Sequence, residues 1–129
     1  IEAGFIEGDV EKPLLRVYYS YVAGGKGIGI TQNANPMDGA FYSTVENCTI
    51  INLEIDRYPL RIENWDSGTD GKINSNMFLC PTGYNLGWPV YECSTVEGAV
   101  TYRSNRWKIG DVLQNDFGHN SDPICPDQE

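Results

Sequence analysis

No segment of this chain holds a helical period for three turns with capping residues at its ends. Instead it is built of short runs rich in β-branched and aromatic residues, separated by Gly, Pro, Asn and Asp. Residues 14–22, 40–45, 48–55, 58–62, 77–80, 88–93, 97–103 and 107–113 read as strands. The run at 48–55 is the clearest, with Thr49, Ile51, Leu53 and Ile55 on one face at period two. Pro59 marks an edge or a strand start, because proline cannot donate to a ladder. Residues 24–27, 35–39, 66–71 and 81–83 carry turn chemistry, and a short helix at 108–115 is the weaker reading of that stretch. No internal repeat, low-complexity tract or linker is legible. Short strands at this spacing predict an all-β fold, a single-domain antiparallel β-sandwich or β-barrel over residues 1–129.

Cysteine usage predicts how such a fold would be reinforced. Cys48, Cys80, Cys93 and Cys125 are even in number and include no C-x-x-C pair, which argues against a metal or thioredoxin-type site. Two structural disulfides in an oxidising compartment are the expectation, and with it a secreted, extracellular chain whose Ile1 follows a cleavage point. Four cysteines allow three connectivities. The preferred pairing is Cys80 with Cys93, closing a loop between neighbouring strands, and Cys48 with Cys125, pinning an otherwise loose tail at 118–129.

The charge narrows the partners. Nine basic against 18 acidic residues leave a formal charge of −9, which opposes phosphate backbones and anionic membranes. No stretch reaches the roughly 18 apolar residues of a membrane helix. A monomer with no nucleic-acid or membrane partner is expected.

Few residues carry a chemical signature. Asn47-Cys48-Thr49 is an N-x-[ST] sequon, so Asn47 is a candidate glycosylation site. The stretch 66–71 matches an EF-hand loop at positions 1, 5 and 6 but has Gly68 at position 3 and Met77 at position 12, so a plain turn is the better reading and no metal site is expected. His119, the only histidine, has no nucleophile elbow beside it and reads as a solvated loop residue. Glu46, Glu54, Glu63, Glu92 and Glu97 lie on or beside strands, where solvent-facing carboxylates are the default. Two of them in one cleft would suit glycoside hydrolysis, and a Glu97, His119 and Arg103 set would suit a ribonuclease-type acid–base scheme. No cofactor is implied.

The aromatic residues are the better indication of a binding face. Trp65, Trp88 and Tyr84 sit among Asn, Asp, Gly and Pro, where an exposed ring with polar neighbours can stack on a sugar or a protein. Arg103, Arg106 and Trp107 form a local basic and aromatic cluster in an acidic chain. In length, paired cysteines and strand richness the chain resembles the small secreted proteins of filamentous fungi, among them plant-pathogen effectors and β-barrel allergens. That resemblance covers gross features and transfers no functional residue. It implies a non-enzymatic virulence or host-interaction protein that binds a host protein or glycan. A small secreted hydrolase and a carbohydrate-binding module are the alternatives.

Overall fold

The computed structural model describes residues 2–5, 15–24, 28–32, 43–65, 71–94 and 100–122. These residues form strands and turns, with no helix among them. The strands are β1 (Glu2–Phe5), β2 (Leu15–Tyr18), β3 (Tyr21–Gly24), β4 (Ile28–Gln32), β5 (Ser43–Glu46), β6 (Thr49–Asn52) and β7 (Leu60–Trp65). They continue as β8 (Gly71–Asn74), β9 (Met77–Cys80), β10 (Val90–Ser94), β11 (Val100–Arg103), β12 (Arg106–Ile109), β13 (Val112–Leu113) and β14 (His119–Asp122).

Three sheets collect every third strand up to β12. The first runs β1-β4-β7-β10-β14, the second β2-β5-β8-β11, and the third β3-β6-β9-β12 with β13 at its edge. All pairs are parallel except the β12–β13 hairpin. Each rung of three strands therefore stacks on the one before, giving a three-sided parallel β-helix. This overturns the antiparallel sandwich or barrel: apart from the β12–β13 hairpin, chain neighbours do not pair, and the partner of each strand lies one whole rung away. On the third sheet the register passes from Tyr21 to Thr49 to Met77 to Arg106, steps of 28, 28 and 29 residues. A repeat of this period defines a solenoid. It escapes a reading for internal repeats because the rungs share a shape and an inward pattern but few residue identities.

Sequence runs map onto rungs with one systematic difference. The run 14–22 is two strands joined by a corner at Tyr19-Ser20. Corners at Asn47-Cys48, Ser75-Asn76 and Ser104-Asn105 repeat it. The first residue of each corner is left-handed, with φ of 46° at Tyr19, 55° at Asn47, 58° at Ser75 and 56° at Ser104. A corner of this kind redirects the chain onto the next face instead of reversing it. Of the run 48–55, only Thr49–Asn52 is strand, and Ile50 and Asn52 face inward. Leu53 and Ile55 are exposed. Pro59 immediately precedes β7, which is a central strand and not an edge. Residues 108–115 form β12's end and a hairpin, with no helix.

The core runs along the inside of the coil. Val17, Val45 and Ile73 stack on the second sheet, Ile50, Phe78 and Trp107 on the third, and Leu60, Ile62 and Val90 on the first. Residues next along a strand point out, as Lys72 and Thr101 do.

Neither expected disulfide forms. Cys48 and Cys80 are free, buried thiols, which rules out pairing with Cys125 and Cys93 respectively. Cys93 is disulfide-bonded, but no disulfide joins two described residues, and Cys125 lies outside them. The reason is topological: Cys80 and Cys93 belong to different sheets, and Cys48 is occupied at a corner. The expectation of two disulfides is therefore not met, since two of the four cysteines are free thiols.

Candidate binding site at the open end of the coil

The corner between the second and third sheets is built the same way in each rung. Its first residue donates its backbone N–H to the next rung: Tyr19 to Glu46 O, Asn47 to Asn74 O, and Ser75 to Arg103 O, each at 2.9–3.1 Å. Its second residue accepts at its carbonyl from the next rung: Ser20 from Thr49 N, Cys48 from Met77 N, and Asn76 from Arg106 N. The side chain of the second residue completes the set. Asn76 donates Nδ2 to Val45 O at 2.9 Å and accepts the Cys48 N–H at Oδ1 at 3.0 Å. Asn105 donates Nδ2 to Ile73 O at 2.7 Å and accepts the Asn76 N–H at 3.0 Å. In the rung below, the Cys48 thiol takes the place of the amide and donates to Val17 O at 3.5 Å. The same sulfur lies 3.2 Å from Glu46 O, and Cys48 is a free thiol.

At Ser104-Asn105 the series stops. Arg103 O faces β8, where it accepts from Ser75. Backbone groups alternate sides along a strand, so Tyr102 C=O faces the other way. The Tyr102 carbonyl therefore holds the position that Val17, Val45 and Ile73 hold in the rungs below. No described residue bonds to it from above, nor to the Ser104 N–H, the Asn105 N–H or the Asn105 carbonyl. The corresponding edge of the third sheet is closed. There the chain turns at Gly110, with φ of 57°, and β13 pairs antiparallel with β12, Lys108 opposite Leu113.

A cleft of about 570 Å³ lies over this open edge. Its floor is the strand and corner Val100 to Asn105, and its far wall is Trp88 and Phe117 to His119. Gly118 packs closely on Trp88, since a Cβ there would lie 3.0 Å from the ring and the ring would have to shift. The cleft's rings are already partnered. Tyr102 stacks on His119 at 4.5 Å, Phe117 on Phe78 at 5.7 Å, and Trp88 leans on Trp107 at 5.8 Å. Arg103 is exposed at the rim and has no acidic partner among the described residues.

Behind His119 lies a polar cluster that enters the coil interior. The register places Glu92 above Ile62 and Ser121 above Glu92 on one face of the first sheet; Glu92 is buried there, and Ser121, on the last strand, is exposed. Burial pushes the Glu92 carboxyl up to about 7. Burial also lowers His119 from its ordinary value, more than a backbone hydrogen bond at Asn120 raises it. The His119 Nδ1 to Glu92 Oε2 distance of 3.5 Å is therefore a contact between groups that each resist charging, not a strong ion pair. Ser121 Oγ and the same Nδ1 share a hydrogen bond of 2.6 Å. In a Ser-His-acid relay the serine and the carboxylate sit on opposite ring nitrogens. Here both converge on one, so no relay exists. The Tyr102 hydroxyl is buried beside this cluster without a partner, and its proton is held tightly by burial.

The residues singled out from sequence are scattered by the fold. Trp88 and Arg103 line the cleft. Tyr84 is buried, its hydroxyl donating to Trp88 O at 2.6 Å. Trp107 is 4 % exposed and packs in the core, with its indole N–H on Asp116 O. Arg106 lies on the outer face of the third sheet, and Asn47 is exposed at its corner. The Trp65 side chain and residue 97 lie outside the described residues. Sequence reasoning missed the corner asparagines, Asn76 and Asn105. The available signal was N or S followed by N or C ahead of β6, β9 and β12, at steps of 28 and 29 residues. Among the described residues no group of His, Cys, Asp and Glu is placed to hold a metal. No family model, curated protein or solved structure matches this chain. The likeness to fungal effectors and allergens thus finds no support, and of the features that carried it the two disulfides are not formed.

Proposed function

We propose that this chain is a non-catalytic binding domain that captures an extended segment of a partner protein by adding it as a strand to the open edge of β11. The observation that carries this reading is the set of backbone groups at Tyr102, Ser104 and Asn105 that have no partner among the described residues, lying along one wall of a cleft. An exposed strand edge is a template for pairing, and strand addition is a common mode of peptide recognition. The β13 hairpin supports it further. With the third sheet's edge closed, a whole further rung cannot stack there, so the edge of β11 suits a single strand.

Two other readings are less well supported. A sugar-binding platform needs a ring with a free face, and each aromatic ring lining the cleft is already engaged: Tyr102 with His119, Phe117 with Phe78 of the core, and Trp88 with Trp107 of the core. A glycosidase needs two carboxyl groups about 5–9.5 Å apart across the scissile bond. No carboxylate is among the residues lining this cleft, and Glu92 stands behind His119.

Amide hydrogen exchange with a panel of ten-residue extended peptides and a panel of oligosaccharides tests the reading. The amides of Ser104 and Asn105 should exchange fast in the free chain and slow when a peptide binds. Slow exchange in the free chain, or binding of sugars and no peptide, overturns it.

A further inference from the structure

We infer that the open corner selects an asparagine: the captured segment is an extended run followed by one turn residue and then Asn, placed so that its side chain extends the corner series. The inference rests on the strand-addition reading and adds the identity of the residue recognised.

The argument is the hydrogen-bond pattern of the rungs already present. A residue stacking above Asn105 meets two groups at once. One is the Tyr102 carbonyl, an acceptor; the other is the Asn105 N–H, a donor. In the two lower rungs the same pair of groups is met by one side-chain amide each time. Asn76 spans Val45 O and Cys48 N, and Asn105 spans Ile73 O and Asn76 N. Only Asn presents a donor and an acceptor at that reach. Asp supplies the acceptor alone and sets a charge against a carbonyl. Ser is shorter, and Gln adds a methylene that displaces both atoms. The turn residue ahead of the Asn must take a left-handed conformation, as Asn47, Ser75 and Ser104 do. Its carbonyl neighbour one position earlier would accept the free Ser104 N–H, as Arg103 O accepts from Ser75.

Segment 71–80 of this chain has the required pattern, with Ile73 inward, Ser75 left-handed and Asn76 at the corner. A synthetic peptide of that sequence, with Cys80→Ser, is a suitable probe. It should bind the full chain and slow the exchange of the Ser104 and Asn105 amides. The same peptide with Asn76→Ala or Asn76→Asp should bind at least about tenfold more weakly, the effect of losing two hydrogen bonds. Lys72→Ala in the peptide should change little, because that residue faces outward. Equal binding by the Asn76→Ala peptide overturns the asparagine inference and leaves strand addition standing. No binding by any of the peptides, or amides already protected in the free chain, overturns both.

Discussion

Asn76 shows how much one side chain carries in this fold. It is 2 % exposed and its amide joins three rungs: Val45 O and Cys48 N below, Asn105 Oδ1 above. Asn76→Ala would leave a buried carbonyl and a buried N–H without partners. Each such group costs about 1–3 kcal/mol. Chemical denaturation should therefore register a loss of about 3 kcal/mol. A loss below about 1 kcal/mol would mean that water replaces the amide and that the corner is not a structural series. Cys48 fills the equivalent place one rung down with a weaker donor, its thiol. Counting cysteines is a good guide to disulfides only when nothing else needs the sulfur, and here the corner does.

At the scale of elements, β10 and β14 place a carboxyl and an imidazole inside the coil, and stability must follow their titration. The Glu92 pKa is raised from 4.5 to about 7, so the folded chain holds a proton that the unfolded chain releases between those values. Stability from this group is full below pH 4.5 and is lost as pH rises through about 7. His119 acts at the other end. Its lowered pKa means that stability is full above 6.5 and falls as pH drops through the folded value. Below pH 6.5 the two trends oppose each other, and above it only the loss from Glu92 remains. Glu92→Gln should flatten the alkaline limb and stabilise the chain by about 2 kcal/mol at pH 8.5, the shift discounted for partial access to water. Thermal melting from pH 5 to 9 checks this. A Glu92→Gln variant less stable than the parent at pH 8.5 would show that the carboxylate is ionised and paired.

For the whole molecule, the rung is the unit. Stability in a solenoid comes from each repeat and its contacts with the neighbours on either side, so a repeat can be removed. Met77 stacks directly over Thr49, 28 positions on. Deleting residues 49–76 joins the Cys48 corner to β9 and leaves a coil one rung shorter. Circular dichroism should show strand content retained and a cooperative melt at a lower temperature. An unfolded product would contradict the rung as an independent unit. A sandwich of paired neighbours would not survive the same excision, because it removes a strand from the middle of its sheet.

The sequence by itself determined the strand content, most of the breaks between strands, and the absence of helix from the described residues. These follow from local chemistry: β-branched and aromatic side chains fit a pleated surface, and Gly, Pro, Asn and Asp interrupt it. Residues 77–80 and the break at 81–83 were legible to the residue for that reason. Four strands with weak composition were not: β1, β4, β8 and β14, the last of which carries His119, Asn120, Ser121 and Asp122. They are strands because a neighbouring rung supplies their hydrogen bonds. Only the tertiary structure decided that the strands pair in parallel, that the corners turn and do not reverse the chain, and that Glu92, Tyr102, His119 and Ser121 meet. Each of those depends on residues about 28–32 positions apart being brought into register, and no local preference encodes a partner at that distance. A left-handed residue at a corner is compatible with a hairpin or a rung, and the coil's stacking energy selects between them.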